Sequence, residues 1–348
     1  MDIANKKELK DIFALFSDKE PVSYEIIETG KGETDFRCTL IFTADDGSRL
    51  VIKLSDNDFT SPERIKVWQR ISEEYNALGC YCPKIYTDKS GGFPCAEYNG
   101  HSCVAYAEEY AKYRLLQERD FDGDRETGEI SRAKWLLTAK AAAKHFDFAP
   151  FPSGYCLFER FCPSDKTDEV TEQAQEWKAQ AQKLPDKFQA QVRRIIQLWL
   201  DNRAQLEKVY PTLPTSVFQA DLNSTNLLVD DDRNFAGLID MNISGREVFL
   251  NYIFRENFSR DFESEIYKIR RVLCITSQEY IFSDIEKEYA LMLYRCLKPI
   301  RKDFEIEELL NEKADDEQIQ KCLDRCEHYL TADIDFKTYM NNRTEENP

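Results

Sequence analysis

No uninterrupted apolar run in this chain approaches the roughly 18 residues that a membrane-spanning helix needs. The opening Met1-Asp2-Ile3-Ala4-Asn5-Lys6-Lys7-Glu8 is too polar for a secretory signal. The expected location is therefore the cytoplasm, with no membrane partner. Positive charge is also short: 47 Lys and Arg stand against 64 Asp and Glu, a formal net charge of −17. Such a balance argues against nucleic-acid binding, which rests on basic side chains meeting phosphates. It tilts any small-molecule partner toward a cationic one, although most surface carboxylates do no more than keep a protein in solution. Histidine is scarce, with three in 348 residues. The closest cysteine pair, Cys80-Tyr81-Cys82, lacks the second pair or the neighbouring histidines of a zinc site. Eleven cysteines, an odd number, read in a cytoplasmic chain as reduced thiols packed as small apolar groups. Asp120-Phe121-Asp122-Gly123-Asp124 is not a calcium loop, because Arg125 and Ser131 occupy the positions that need Gly and Glu.

What the chain does have is one stretch of closely spaced acid and amide groups. Phe218-Gln219-Ala220-Asp221-Leu222-Asn223-Ser224-Thr225-Asn226 is followed, after a short polar turn, by Gly237-Leu238-Ile239-Asp240. Asp221 and Asn226 stand five residues apart among Asn, Ser and Thr, residue types that hydrogen-bond their own backbone and hold tight irregular loops. Leu227 to Val229 and Phe235 to Ile239 are short apolar runs around the turn-forming Asp230-Asp231-Asp232-Arg233-Asn234. They predict a β-hairpin that returns Asp240 toward Asn226. One carboxylate with one carboxamide is the incomplete oxygen shell that Mg²⁺ takes together with substrate phosphates. Asp221 remains to accept the proton of an attacking hydroxyl. A plain solvated turn, or a glycosylation acceptor at Asn223-Ser224-Thr225 in a secreted chain, would explain the loop alone but not the hairpin ending in an acid.

The string Gln219-Ala220-Asp221-Leu222, with Asn226 and then Ile239-Asp240-Met241, resembles the catalytic loop and metal-binding Asp of the aminoglycoside phosphotransferase and choline kinase-like families. These share the protein-kinase fold. Three departures stand out: Gln219 replaces the family's His, Ala220 its Gly, and Met241 the aromatic residue after the metal-binding Asp. The His acts in the family as a hydrogen-bonding brace, and Gln can also donate and accept. The resemblance thus implies catalysis by Asp221 with Gln219 beside it, Mg²⁺ at Asn226 and Asp240, and ATP (or GTP) as phosphoryl donor. The family's second acidic motif is missing, since Asn242 to Tyr252 carries no matching Asp.

The amino-terminal part fits the same pattern. Lys6 to Phe16 has a helical spacing, and Val22–Glu28, Arg37–Thr43 and Arg49–Leu54 read as three antiparallel strands. Between the first two, Gly30 and Gly32 form Gly-x-Gly, but Asp35 occupies the place of a third glycine, so an ordinary hairpin turn accounts for them equally well. By the resemblance they are phosphate-covering positions. Val51-Ile52-Lys53-Leu54 resembles the kinase strand whose Lys pairs with the α- and β-phosphates. Ser61-Pro62-Glu63 opens a helix. The family pairs the strand Lys with a Glu on this helix, and of Glu63, Glu73 and Glu74 the first lies nearest the strand, although an acid in a first helical turn needs no further role. Phe93 to Tyr113 forms a hairpin about Asn99-Gly100. Glu109 and Tyr110 then fall where the family's lobes join and where backbone groups meet adenine.

From Tyr113 onward the pattern is mostly helical, over Arg132–His145, Thr171–Lys183, Lys187–Tyr210, Phe249–Phe258, Asp284–Leu297 and Glu305–Leu330. His145 sits in scaffold and reads as structural. The expected fold is α+β and protein kinase-like: an N-lobe of residues 1–109 with a five-stranded antiparallel sheet and one main helix, and a larger, mostly helical C-lobe of residues 110–348. Acidic Glu256, Asp261, Glu263 and Glu265 either line an acceptor site for an amine-bearing molecule or face water. The expected activity is phosphoryl transfer to a hydroxyl of a small molecule. The alternative is a kinase fold that binds a nucleotide or metabolite without turnover.

Overall fold

The structure, a computed structural model, describes residues 3–30, 34–120, 128–259, 261–300, 304–311 and 314–341. In chain order its elements are α1 (Ile3–Phe16), β1 (Pro21–Glu28), β2 (Phe36–Ala44), β3 (Arg49–Asp56), α2 (Pro62–Ala77), β4 (Ile85–Tyr86), β5 (Cys95–Tyr98), β6 (His101–Glu109), β7 (Arg114–Leu115), α3 (Glu129–Ala142), α4 (Glu169–Ala181), α5 (Gln189–Val209), β8 (Thr215–Phe218), β9 (Leu227–Val229), β10 (Phe235–Leu238), β11 (Gly245–Val248), α6 (Phe249–Glu256), α7 (Phe262–Thr276), α8 (Asp284–Leu297), α9 (Phe304–Asn311), α10 (Asp316–Thr331) and α11 (Lys337–Asn341). The fold is α+β, with an antiparallel sheet near the amino terminus and a carboxy-terminal part built mostly from helices.

The chain divides into two compact units. The first comprises Met1–Ile130, Cys162–Ser164 and Gln219–Gly245. Its large sheet runs β1-β2-β3-β6-β4, with β5 also on β6, one short strand more than the five expected. Period-two alternation decides its two faces. Cys38, Leu40, Phe42 and Ala44 of β2 are buried and pack, with Ile52 and Leu54 of β3, against Leu9, Ile12 and Phe13 of α1. The opposite face carries the half-buried Arg37, Thr39 and Ile41, and Lys53 lies there because it alternates with Ile52 and Leu54. The register places Lys53 opposite Thr39 on one side and Tyr106 on the other. α2 begins as its sequence predicts. The Ser61 hydroxyl accepts from Arg64 N–H, Pro62 fills the first turn, and Ile65, Trp68, Ile71 and Tyr75 bury one face.

The hairpin of β9 and β10 belongs to this first unit because backbone bonds tie it there. β7 pairs with β9, Leu116 N–H donates to Leu227 O at 2.9 Å, and Leu238 N–H donates to Tyr81 O at 2.9 Å. Gly237 makes the last contact feasible, since a Cβ at that position would stand 2.2 Å from the Tyr81 carbonyl oxygen. Only the absence of a side chain lets the two backbones approach so closely.

The second unit comprises Ser131–Phe161, Asp165–Phe218 and Arg246–Pro348. Its core is aromatic: Phe249, Tyr280 and Phe282 form one group, and Phe254, Tyr294 and Phe336 another, with neighbouring ring centroids 4.9–6.2 Å apart. α7 lies where no helix was expected. Asp261 caps it by accepting from Ser264 N–H at 2.8 Å. Glu265 is fully buried, 3.5 Å from Lys298 Nζ and accepting from Tyr294 O–H at 3.0 Å. Asp261 thus caps α7, and Glu265 ties it to α8 through Tyr294 and Lys298. Among the described residues, no helix is long and apolar enough to cross a membrane.

Candidate active site

Lys53 is the centre of a charge cluster in the first unit. Its Nζ stands 3.2 Å from Glu108 Oε1 and 3.2 Å from Asp240 Oδ1. Burial opposes the ammonium charge, but Asp240 and then Glu108 outweigh that cost and hold Lys53 well above its usual pKa. Glu108 is pushed up, by burial first and then by Asp240, while Lys53 pulls it back. The carboxylate partner of Lys53 is thus on the sheet. Glu63, the expected partner, is exposed in the first turn of α2, where its carboxyl is held below the usual range by a backbone N–H and Ser61. The reason is geometric: Glu108 shares a face of β6 with Tyr106, which lies directly opposite Lys53, so the pair is a cross-strand diagonal. The inward face of α2 instead carries Trp68, whose ring lies 6.0 Å from that of Tyr106.

Asp240 leaves β10 with φ +62°, in the left-handed region that a non-glycine residue enters at a cost of about 1–2 kcal/mol. That turn brings its carboxylate back to the sheet, where Oδ1 accepts from Lys53 and Oδ2 accepts from the Asn242 side-chain amide at 3.2 Å. Asn242 was not singled out from the sequence, because an amide two residues after an acid has no distinctive spacing.

Asp221 and Asn226 close the loop as the spacing predicts. Asn226 Nδ2 donates to Asp221 O at 2.7 Å and to Asp221 Oδ2 at 3.1 Å, and Asn223 Nδ2 donates to Asp221 Oδ1 at 2.9 Å. Asn223 also caps the turn over Ser224–Asn226 through Thr225 N–H. Ile239 N–H donates to Asn226 O at 3.0 Å, so the hairpin does set Asn226 against the residue before Asp240.

Gln219 is completely buried and holds these parts together. Its Oε1 accepts from Asp221 N–H, and its Nε2 donates to Asp221 O at 3.0 Å and to Asp240 O at 2.7 Å. Gln219 N–H donates in turn to the hydroxyl of Tyr75 on α2, at 3.2 Å. A carboxamide can make all three side-chain bonds because it carries two donors on one nitrogen and an acceptor beside it. The replacement of His by Gln therefore leaves a brace in place.

The other expected residues are placed less centrally. Gly30 is needed for close packing, since a Cβ there would lie 2.4 Å from Asp35 O, and Gly32 falls outside the described residues. Glu109 N–H already donates to Lys84 O at 2.8 Å, so this donor is not open to a ligand. Tyr110 lies under the Arg49 guanidinium, 3.6 Å from its ring centroid. Beside Lys53 and Asp240 a cavity of about 140 Å³ opens, lined among others by Arg37, Thr39, Thr60, Trp68, Tyr106 and Asn242.

The donor set suits a hard divalent cation. Asp240 offers a carboxylate, and Asn226, with its Nδ2 turned to Asp221, presents its Oδ1 as an acceptor. Among the described residues no three His, Cys, Asp or Glu side chains converge to complete a shell, so oxygens of a substrate would have to supply the remainder.

The model of the phosphotransferase enzyme family matches residues 31–245. The chain belongs to this family. No curated protein matches by sequence. Among solved structures, the chain is similar to an amicoumacin kinase in complex with AMP-PNP, Ca²⁺ and Ami, at 13% identity and TM-score 0.52 over 96% of this chain and 97% of that one. It is also similar to a microcompartment-associated aminopropanol kinase, at 11% identity and TM-score 0.53 over 93% and 95%. At such low identities these likenesses show the fold, which is that of the two-lobed kinases.

Proposed function

We propose that this phosphotransferase-family chain moves the γ-phosphoryl group of ATP (or GTP) to a hydroxyl of a small molecule. The observation that carries the reading is the meeting of Lys53 and Asp240 at 3.2 Å beside a loop that Gln219 ties to the same aspartate. In the transfer, the acceptor oxygen bonds to the γ-phosphorus as the bond from that phosphorus to the β,γ-bridging oxygen breaks. Asp221 orients the hydroxyl and takes its proton; the two amides on its carboxylate fix the direction of the oxygens. Lys53 releases part of its attraction to Asp240 onto the non-transferred phosphates. Asn226 and Asp240 would hold Mg²⁺, which supplies charge neutralisation of the phosphates when bound.

A binding protein without turnover is the weaker reading, since the Gln219 brace still ties the backbone of Asp221 to that of Asp240. For the acceptor, a net −17 gives a mild bias toward an amine-bearing alcohol, the class to which the aminopropanol in the name of one similar structure belongs. The test is ATP consumption, with Mg²⁺, over amino alcohols, aminoglycosides, neutral sugars and nucleosides. Turnover with an amine-bearing alcohol that Asp221→Asn lowers by about 10²–10⁴ supports the proposal. Turnover that Asp221→Asn leaves unchanged removes Asp221 as base.

A further inference from the structure

Cys80-Tyr81-Cys82 holds the two cysteines closest in sequence, and the proposed transfer makes no use of them. Both are free thiols, 5% and 1% exposed, and their sulfurs are hydrogen-bonded to each other. The residue between them is the dock of the β9–β10 hairpin. Tyr81 N–H donates to Ala236 O at 3.3 Å, Tyr81 O accepts from Leu238 N–H at 2.9 Å, and Gly237 lies against the same carbonyl. The Leu238 N–H also reaches the Cys82 sulfur, and Asp240 follows two residues later. On their other side the cysteines are fixed to α2. Cys80 N–H donates to Tyr75 O at 3.0 Å, while Asn76 Oδ1 accepts from Cys82 N–H at 3.3 Å and Asn76 Nδ2 donates to Cys82 O at 2.8 Å. The Tyr75 hydroxyl, which accepts from Gln219 N–H, lies near both thiols.

Tyr81 forms a single bridge with Gly237, so the chain is extended there. Residues two apart in an extended chain point the same way, with Cα atoms about 6.6 Å apart. That is the upper end of the range of about 4.4–6.8 Å that a disulfide spans, and the Cβ atoms must approach to about 3.8 Å. Both cysteines are anchored to α2, so a bond between them buckles the chain at Tyr81. Its N–H and carbonyl then turn away from Ala236 and Leu238.

We propose that Cys80 and Cys82 are a modification site: a small-molecule disulfide, such as oxidised glutathione, converts them to an intramolecular disulfide that undocks the β9–β10 hairpin. Cys80, the more exposed of the two, attacks one sulfur of the small disulfide as its thiolate, and the first thiolate leaves with the proton that Cys80 gave up. Cys82 then attacks the Cys80 sulfur and displaces the second thiol in the same way. Two protein thiols are oxidised and one disulfide is reduced to two thiols. Burial holds the Cys82 thiol well above its ordinary pKa, so the exchange follows opening of the hairpin. A ligand held by Asp240 keeps the hairpin docked and slows the exchange; this part rests on the nucleotide-binding reading of the site.

The test incubates the full chain in glutathione redox buffers and reads two quantities by mass spectrometry: the Cys80–Cys82 linkage, and amide exchange in the peptide over residues 235–240. Oxidised wild type should carry the linkage and exchange the Leu238 amide about 10-fold faster, with the slow rate restored by dithiothreitol. Cys80→Ser and Cys82→Ala should each keep the slow rate in the oxidising buffer, and either serves if the other fails to fold. Absence of the linkage at the most oxidising ratio, or a linkage that leaves Leu238 exchange unchanged, overturns the inference. Mg²⁺ with ATP at about 10 times its Kd should slow formation of the linkage by about 10-fold. A linkage that speeds Leu238 exchange but forms at a rate ATP does not alter upholds the undocking and counts against the nucleotide reading.

Discussion

Replacing Gln219 by Met tests the brace with little change in volume, since Met fills a similar space without polar atoms. The substitution removes three side-chain bonds, to Asp221 N–H, Asp221 O and Asp240 O, although Asp221 O keeps its bond from Asn226 Nδ2. At about 1 kcal/mol for each lost bond, Gln219→Met should destabilise the chain by about 3 kcal/mol, measured as a shift of the urea midpoint with unchanged slope. The catalytic effect is separate. Asp221 and Asp240 would no longer be fixed to one another, and a misplacement of about 1 Å at a reacting group costs on the order of 10²-fold in rate. Turnover at saturating ATP should therefore fall by about 10–100-fold in the fraction that remains folded, with nucleotide affinity changed far less. Gln219→His, the family's residue, should recover part of both losses, because imidazole offers one donor and one acceptor in place of three bonds. A variant as stable and as fast as wild type would refute the brace.

Gly237→Ala should prevent the hairpin from docking, because its new Cβ would meet the Tyr81 oxygen at 2.2 Å. An overpacking cost of about 1–3 kcal/mol, read from chemical denaturation, is expected, together with loss of ATP-dependent stabilisation. Asp120, gripped by both nitrogens of Arg114 and by Gln117 N–H, has its carboxyl pulled down to about 2 by Arg114 first of all. Its folded value lies below its unfolded one, so its stabilising contribution is complete above about pH 4 and disappears as the pH falls through about 2. The acid side of the stability curve should therefore flatten in Asp120→Asn, and an identical slope in the two proteins would reject the assignment.

Much of the first unit was legible because local chemistry and tertiary outcome agree there. Alternating burial marks β2 and β3, Ser61-Pro62 starts α2, and Asn99-Gly100 turns β5 into β6. The loop spacing of Asp221 and Asn226 was readable for the same reason, since Asn and Thr side chains close it locally. What depended on register was not. Glu108 meets Lys53 only once β3 and β6 are aligned so that Tyr106 falls opposite the lysine, and no linear spacing encodes that. β4 has two residues, too few for any periodicity. α7 was hidden in part by Glu265: a buried acid that pairs with Lys298 from the end of α8 puts a charged letter where an amphipathic pattern needs an apolar one. The docking of the β9–β10 hairpin on β7 and on the backbone of Tyr81, which Gly237 permits, is likewise set by tertiary contacts that no linear pattern encodes.

The proposed phosphoryl transfer requires that Asp240 serve a metal–nucleotide complex beside Lys53. Calorimetric titration of ATP into wild type and Asp240→Ala, each with and without Mg²⁺, measures this directly. Mg²⁺ should tighten ATP binding to wild type by about 10-fold or more and leave the affinity of Asp240→Ala unmoved. An equal tightening in both proteins would place the metal elsewhere and contradict the central claim.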